Sequence, residues 1–277
     1  MRDVVVGLDG GGTHTRVAVA ALDGRILGAA ERGGASTEHN DPRAACANLR
    51  GGVRTAFDDA GRVPADVAAL TGDPGVVALA GTGSIVLGRT ADGEQVRNYD
   101  CGHYARTAAR HVTQRALHAM LAGEVPADWP LGDRLLDRWG CDSLAALRSA
   151  VRDGARFSTT ESGNALDSAA PLVTAAAADG DPTARALCDD AVDEMETGIR
   201  CVAGYLAPPV AITPVGSVLR SDYVRAELGR RFDGTDRRVV DPVLSPVAGA
   251  VYDGIERTAG ADENTVERLA DHEVSRP

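Results

Sequence analysis

The stretch that decides the fold runs from residue 3 to residue 20 and reads DVVVGLDGGGTHTRVAVA. Residues 3–9 are largely apolar and end in the carboxylate of Asp9, which predicts a buried strand. Residues 15–20 alternate with period two, which predicts a second strand, and Asp23-Gly24 predicts a tight hairpin into a third strand. We therefore expect the chain to open as an antiparallel meander with a glycine-rich turn between its first two strands.

A second glycine-rich turn follows a later apolar run. Residues 76–80 are all apolar and lead into Gly81-Thr82-Gly83-Ser84, after which residues 85–88 read as another strand. A third turn, at 214–217, follows the short apolar run 210–212 and contains Gly216 and Ser217. The sequence thus predicts three turns in which glycine or small polar residues follow the end of a strand.

Helical periodicity dominates the rest of the chain. A first helix is predicted after Asp41-Pro42, with its apolar stripe at Cys46, Leu49, Val53 and Phe57. From about residue 105 the apolar spacing changes to 3.6, and further helices are predicted after Asp142-Ser143, Pro171, Asp181-Pro182, Ser221 and Ser245-Pro246. Cys188 lies on such a stripe and is expected in the core. The polar tail from about residue 260 is expected to be frayed.

Composition excludes several classes of protein. The 277 residues are 44% hydrophobic and 25% charged, with no apolar run long enough to span a bilayer. The net charge is −11, and all 29 basic residues are arginine. Without lysine, a Schiff-base lysine, a Walker-type loop and a protein-kinase lysine are excluded. The acidic balance disfavours nucleic acid as a partner, and the start of the chain does not resemble a signal peptide, so we expect a cytoplasmic protein.

The cysteines give no sign of a metal or disulfide framework. Their number, five, is odd, they are widely spaced, and no Cys-x-x-Cys pair occurs. A zinc site, an iron–sulfur site and a disulfide-stapled fold are therefore not expected.

The glycine-rich turns suggest that the protein binds an anion. Glycine lets backbone amides approach a phosphate closely, and the hydroxyls of Thr13, Thr82 and Ser84 add further donors. Asp9, at the end of a strand, is placed to hold the hydrated magnesium of a nucleotide. A Rossmann site is disfavoured because its glycine motif opens a helix, whereas residues 10–12 join two strands. A glycine turn between strands is often only a turn, so this reading depends on the turns acting together.

These residues resemble a known family. Residues 7–15 are similar to the first phosphate motif of the sugar-kinase, actin and heat-shock-chaperone superfamily, and more narrowly of the BadF/BadG/BcrA/BcrD-type ATPases, which include N-acetylglucosamine kinase. Residues 75–84 are similar to the second phosphate motif of that family. Residues 170–182, 215–221 and 246–250 resemble its helical segment, its adenosine motif and its closing helix.

The resemblance implies an α/β, two-lobed RNase H-like fold, that of an actin-like ATPase, with the first lobe shortened by an internal deletion. It implies a phosphate-binding lobe formed by residues 1–100 and 245–277, and a helix-rich lobe formed by residues 101–244. It also implies ATP and Mg²⁺ as cofactors, with Asp9 on the metal. The nucleotide-binding residues it implies are Gly10, Gly11, Gly12, Thr13, His14, Thr15, Gly81, Thr82, Gly83, Ser84, Gly216 and Ser217.

The chain departs from the family pattern where sugar recognition and proton transfer are expected. Only residues 63–74 remain where members carry a further strand–helix–strand with the catalytic base, and Asp66 is the nearest candidate for that base. Glu38 and His39 stand where members often show Asn-His. His103 begins the segment that replaces the family's acidic pair. Together with Thr82, these residues are the candidate substrate-binding residues.

Three functions follow from this pattern. The leading one is an ATP-dependent kinase acting on an amino sugar such as N-acetylglucosamine. The second is an ATP-binding sensor or pseudoenzyme without turnover, and the third is an internally deleted homologue without function. A DNA-binding repressor and a radical-dehydratase activator are disfavoured, because no helix-turn-helix precedes residue 1 and the cysteines do not cluster. Loss of edge strands would expose a sheet edge, which a homodimer would cover.

Overall fold

A computed structural model describes residues 4–36, 40–60, 75–153, 166, 168–242 and 244–271. The strands in these ranges are β1 (Val4–Gly10), β2 (His14–Ala21), β3 (Ile26–Gly33), β4 (Gly75–Ala80), β5 (Ser84–Arg89), β6 (Gln95–Arg97), β7 (Val210–Val215) and β8 (Arg237–Val239). The helices are α1 (Pro42–Ala60), α2 (Ala109–Ala122), α3 (Pro130–Arg138), α4 (Leu144–Arg152), α5 (Ala170–Ala178), α6 (Pro182–Ala203), α7 (Asp222–Phe232), α8 (Pro246–Ala259) and α9 (Glu263–Asp271). A short 3-10 helix spans Asn98–Cys101.

The chain divides into two compact units. The first comprises the described residues within 1–73 and 242–277, and the second those within 74–241. This division differs from the expected one at residue 100, which assigned β4, β5 and β6 to the N-terminal lobe. They belong to the second unit because β4 pairs in parallel with β7, with Val76 opposite Ile212.

The first unit is a three-stranded antiparallel sheet, in the order β1-β2-β3, with helices on both faces. Because side chains alternate along a strand, Val5 packs with α8 and α9 on one face, while Val4 and Val6 pack with α1 on the other. Helix α8 approaches β1 closely, since a Cβ atom at Gly7 would lie 2.3 Å from the carbonyl oxygen of Val247. The meander predicted from residues 3–29 is confirmed.

Helix α1 begins after Asp41-Pro42 as predicted, but its buried stripe is different. Cys46 and Leu49 are exposed, and the buried residues are Ala45, Gly52, Ala56 and Phe57. The reason is close packing on the sheet: a Cβ atom at Gly28 would lie 2.3 Å from the carbonyl oxygen of Ala56. Small residues therefore face the strands together with Phe57, which the stripe predicted correctly, whereas Cys46 and Leu49 lie to the side.

The second unit contains a five-stranded mixed sheet in the order β6-β5-β4-β7-β8. Strands β4 and β5 form an antiparallel hairpin, whereas β4, β7 and β8 run parallel. Helix α6 carries the predicted stripe from Ala184 to Val202, including Cys188, and this stripe is buried in the core of the unit. Helix α3 and strand β6 are short elements that the periodicity did not predict.

Two expectations about helix ends are corrected. Ser221 precedes α7, but its hydroxyl donates to the carbonyl of Val218 and does not cap the helix. The tail after residue 260 contains helix α9, which is held because Leu269 is buried in the same cluster as Val251 and Ile255. No helix in the described part of the chain is both long and apolar enough to cross a bilayer.

Candidate functional site

The first glycine-rich turn is fixed by hydrogen bonds from the segment that follows β3. The amide of Gly11 donates to the carbonyl of His14 at 2.8 Å, and that of Ala35 donates to the carbonyl of Gly11 at 3.0 Å. The Asn40 side-chain amide donates to the carbonyl of Gly12 at 2.8 Å and to that of Ser36 at 3.0 Å. Asn40 thus orders the turn. In the sequence, nothing but its position just before the start of α1 indicates this role.

The turn leaves room beside its backbone. Gly10 is exposed, and a Cβ atom there would meet nothing closer than Ala35 Cβ at 3.8 Å. A Cβ atom at Gly11 would lie 3.4 Å from the carbonyl oxygen of His14, an ordinary contact. Neither residue has a positive φ. Packing within the first unit therefore does not require glycine at either position, in contrast to Gly7.

Asp9 lies at the end of β1, where the sequence placed it, and opposite Arg16 of β2. Its Oδ2 lies 4.0 Å from Arg16 Nη1, and Arg16 Nε donates to Glu31 Oε2 at 2.8 Å. Burial raises the pKa of Asp9, and the charge of Arg16 opposes that shift. Glu31 was not singled out from the sequence, because its role depends on the pairing of β2 with β3.

Two other residues of the first turn differ in their surroundings. His14 is exposed, with Nδ1 3.1 Å from Thr13 Oγ1 and Nε2 3.9 Å from Glu31 Oε1. Thr15 is fully buried within the sheet, and its hydroxyl has no hydrogen-bond partner among the described residues. The Thr15 side chain therefore packs within the first unit, and its assignment to the nucleotide stays a prediction.

The second glycine-rich turn joins β4 to β5 and is anchored to the start of α2. The amide of Gly81 donates to the carbonyl of Gly83 at 2.9 Å, which closes the turn. The amide of Ala109 donates to the carbonyl of Gly81 at 2.7 Å, and the Ser84 hydroxyl donates to the carbonyl of Ala105. The hydroxyl hydrogen of Ser84, expected as a donor to phosphate, is therefore used to hold residues 105–109 against the turn.

The third turn lies beside the second. A Cβ atom at Gly81 would lie 3.7 Å from Gly216 Cα and 3.8 Å from the amide nitrogen of Ser217. The amide of Val218 donates to the carbonyl of Ala80 at 3.0 Å. Within the second unit, the structure thus brings together the two turns that the sequence assigned to the nucleotide.

The glycines of these two turns differ in whether packing requires them. Gly216 has φ +90°, and a Cβ atom there would lie 2.3 Å from the carbonyl oxygen of Ala80, so the fold itself requires glycine. A Cβ atom at Gly83 would have no neighbour within 4 Å, and neither Gly81 nor Gly83 has a positive φ. The space beside Gly83 is what a backbone cradle for a phosphate requires.

His103 lies at a polar cavity of about 470 Å³ in the second unit. The residues that line the cavity are His103, Arg115, Asp190, Asp193, Glu194 and Thr197. His103 Nε2 lies 3.6 Å from Glu194 Oε2. Its Nδ1 is buried beside Gly198 and has no hydrogen-bond partner among the described residues. Glu194 and the cavity were missed because α6 was interpreted only through its apolar stripe.

Three predicted residues lie outside the described part of the chain. They are Glu38 and His39, expected at the sugar, and Asp66, the candidate base. Apart from Thr15 and His103, the described candidates form two groups, each within one unit. Asp9, Gly10–Gly12, Thr13 and His14 form the first; Gly81–Ser84, Gly216 and Ser217 form the second.

Solved structures identify the fold. A protein from Chromobacterium violaceum assigned as an N-acetylglucosamine kinase matches 90% of this chain and 98% of its own at 23% identity, with a TM-score of 0.69. One from Porphyromonas gingivalis with the same assignment matches 98% of this chain and 100% of its own at 15% identity, with a TM-score of 0.63. A ROK-family glucokinase from Streptomyces griseus, solved with glucose and AMPPNP, matches 92% and 99% at 16% identity, with a TM-score of 0.54.

The chain therefore has the fold of sugar kinases and actin-like ATPases, and the predicted fold class is confirmed. No family model matches the sequence, and no curated protein matches it. The narrower resemblance to the BadF/BadG/BcrA/BcrD-type ATPases and the internal deletion stay predictions.

Proposed function

We propose that this protein binds Mg-ATP through its glycine-rich turns and transfers the γ-phosphoryl group to a hydroxyl of an amino sugar such as N-acetylglucosamine. The observation that carries the proposal is the open space beside Gly83, next to a turn whose own glycine, Gly216, is required by packing. Glycine without an internal reason, in a chain with the fold of sugar kinases, is explained by a ligand that approaches the backbone.

Each group of residues has a part in the proposal. The amides of Gly10–Gly12 and Gly81–Gly83 would bind phosphate oxygens, with the hydroxyls of Thr13 and Thr82 as further donors. Magnesium keeps most of its waters and needs one or two carboxylates besides the phosphates, so Asp9 alone suffices on the protein side. Gly216 and Ser217 would flank the adenosine. When bound, Mg-ATP supplies the transferable phosphoryl group.

The proposed sugar site combines residues that the structure describes with residues outside its described part. His103, Thr82, Glu38 and His39 are proposed to bind the sugar hydroxyls, and Asp66 to accept the proton of the attacking hydroxyl. A positioned base contributes about 10²–10⁴-fold to rate, so the identity of the base decides whether turnover is fast. Within the described residues, the His103–Glu194 pair beside the polar cavity is the nearest substitute for the family's acidic pair.

A second candidate function is an ATP-binding sensor without turnover. The observation that favours it is the sequence of residues 103–107, His-Tyr-Ala-Arg-Thr, which contains no carboxylate. The phosphate turns are intact, so nucleotide binding would survive while sugar phosphorylation would not. The two candidates differ only in what happens after ATP binds.

One experiment separates them. Binding of Mg-ATP is measured by calorimetry, and turnover by a coupled ADP assay with N-acetylglucosamine, glucosamine and glucose. Gly83→Val is expected to abolish binding by filling the space beside the turn, while a surface change such as Leu49→Ala on the exposed side of α1 leaves it intact. Binding with sugar-dependent turnover supports the kinase; binding without turnover on any sugar supports the sensor; no binding by the unaltered protein contradicts both.

If the protein phosphorylates a sugar, the role of Asp66 as the base can be tested. Asp66→Asn is expected to lower kcat by about 10²-fold or more with little change in KM for ATP, since a base acts in the transition state. Unchanged kcat in Asp66→Asn would remove this residue from the mechanism. Glu194→Gln, measured beside it, tests whether the His103 pair serves in its place.

A further inference from the structure

We propose that the guanidinium group of Arg106 binds the phosphate chain of the nucleotide at the turn formed by Gly81–Ser84. This inference rests on the proposed function and assigns it a residue outside the glycine motifs. The ligand chemistry is that of a polyphosphate ester, for which arginine is suited because its planar group donates several hydrogen bonds at fixed angles.

The first observation is the position of Arg106 in the chain. The segment 105–109 is tied to the turn at both ends, by the Ser84 hydroxyl on the carbonyl of Ala105 and by the amide of Ala109 on the carbonyl of Gly81. Arg106 is the charged residue within this segment. It is exposed, and it lies three residues before Ala109, whose amide holds the carbonyl of Gly81.

The second observation is that the charge of Arg106 is uncompensated. Over the ranges that the structure describes, no carboxylate pairs with its guanidinium and no acceptor receives a hydrogen bond from it. Its neighbour Arg115 is engaged, since it donates to the carbonyl of Arg106 at 2.9 Å and lies 3.9 Å from Asp190. In a protein with a net charge of −11, an exposed arginine without a carboxylate beside a glycine-rich turn is available to an anion.

The third observation is that the segment leads directly into the N-terminus of a helix. Helix α2 begins at Ala109, directly after the segment, and the N-terminus of a helix carries a partial positive charge. Arg106, Arg110 and Arg115 all lie close enough to His111 to disfavour its protonation. Arg115 is balanced by Asp190, so the charge left for a phosphate chain at this point is that of Arg106 together with the N-terminus of α2.

The test compares Arg106→Gln with Arg134→Gln, an exposed arginine of α3 that has no ion pair among the described residues. Calorimetry at two salt concentrations gives Kd for Mg-ATP, Mg-ADP and adenosine. Arg106→Gln is expected to weaken Mg-ATP about tenfold, to weaken Mg-ADP, to leave adenosine unchanged, and to reduce the salt dependence of Mg-ATP binding. Arg106→Lys is expected to restore part of the affinity, and thermal melts of all variants check that they fold.

The outcomes separate the inference from the proposed function. If the unaltered protein binds no nucleotide, both fail. If it binds Mg-ATP and Arg106→Gln binds equally tightly with the same salt dependence, only the role of Arg106 fails. An equal loss in Arg134→Gln would also overturn the inference, because the effect would then come from net charge.

Discussion

Gly216 and Ala80 approach so closely that a Cβ atom on residue 216 would lie 2.3 Å from the carbonyl oxygen of Ala80. The ends of the parallel strands β7 and β4 meet at this point, and the amide of Val218 donates to the same carbonyl at 3.0 Å. The contact fixes the third turn against the second. It makes Gly216 a structural residue as well as a candidate for the adenosine site.

Gly216→Ala is therefore expected to destabilise the second unit. The added methyl group would collide with the backbone of Ala80, and φ +90° is unfavourable for alanine, so we expect a loss of about 1–3 kcal/mol in the free energy of unfolding. Chemical denaturation measures it. Gly83→Ala is the matched control, because a methyl group there meets no atom within 4 Å and should change stability by less than about 0.5 kcal/mol. Equal stability of the two variants would contradict the packing argument.

Asn40→Ala is expected to weaken nucleotide binding. The side chain of Asn40 holds the carbonyl of Gly12, and without it the first turn loses a fixed shape. Thr258→Val is the control, since the Thr258 hydroxyl donates a bond of 2.7 Å to the carbonyl of Gly254 within α8 and not to the turn. Each change should cost about 1 kcal/mol of stability, whereas only Asn40→Ala should raise Kd for Mg-ATP. A similar rise in both variants would assign the effect to general loosening of the unit.

Much of the fold was predictable from the sequence because many of its elements follow from local residue patterns. The β1–β2 meander, the hairpin at Gly81–Ser84 and the stripe of α6 each follow from spacing over ten to twenty residues. The pairing of β4 with β7 was not predictable, because more than a hundred residues separate Val76 from Ile212 and nothing local links them. That pairing places β4 in the second unit, so the observed boundary lies before β4 and not at residue 100 as expected.

The residues of the candidate site likewise divide into those that local sequence patterns indicate and those that they do not. Its glycines and Asp9 could be found from the sequence, since glycine-rich turns after strands are recognisable. Asn40, Glu31 and Glu194 could not, because their roles arise from contacts across loops, strands and helices. The burial of Thr15 was not foreseen for a related reason: it depends on which face of β2 is covered, and the glycine motif does not show that.

The stability of the protein is expected to fall in mild acid because of His111. Burial, reinforced by the charges of Arg110, Arg115 and Arg106, lowers the pKa of His111 to about 4. An unfolded histidine has a pKa near 6.5, so the unfolded state binds more protons as the pH falls from about 6.5 to 4, and unfolding becomes easier. Above about pH 6.5, His111 is neutral in both states and adds no pH dependence to the free energy of unfolding. His111→Asn should flatten this part of the pH profile in urea titrations, and an unchanged profile would contradict the assignment.

Arg231 joins two helices through three carboxylates. Its Nε donates to Glu227 at 2.9 Å within α7, and its Nη1 contacts Glu196 at 2.9 Å and also Asp193, both on α6. The bonds from Arg230 and from Arg231 lower the pKa of Glu227 to about 2. Arg231, Glu196 and Glu227 are largely buried, whereas Asp193 and Arg230 are exposed, and the buried part distinguishes the cluster from exposed ion pairs.

Arg231→Met is expected to cost about 1–3 kcal/mol of stability, because it removes the bonds that join Glu227 of α7 to Glu196 and Asp193 of α6 at a partly buried site, although Glu227 keeps Arg230 and Glu196 keeps Arg200. The folded-state pKa of Glu227 is depressed, so its contribution is present above the unfolded value of about 4.5 and is lost as the pH falls toward 2. The variant should therefore differ most from the unaltered protein near neutral pH and least in strong acid. Arg54→Met is the control: Arg54 and Asp58 are exposed and 3.8 Å apart, and such pairs contribute about 0–1 kcal/mol. A cost for Arg231→Met no greater than that of Arg54→Met, in denaturant melts at pH 7, would show that the cluster does not hold α6 to α7.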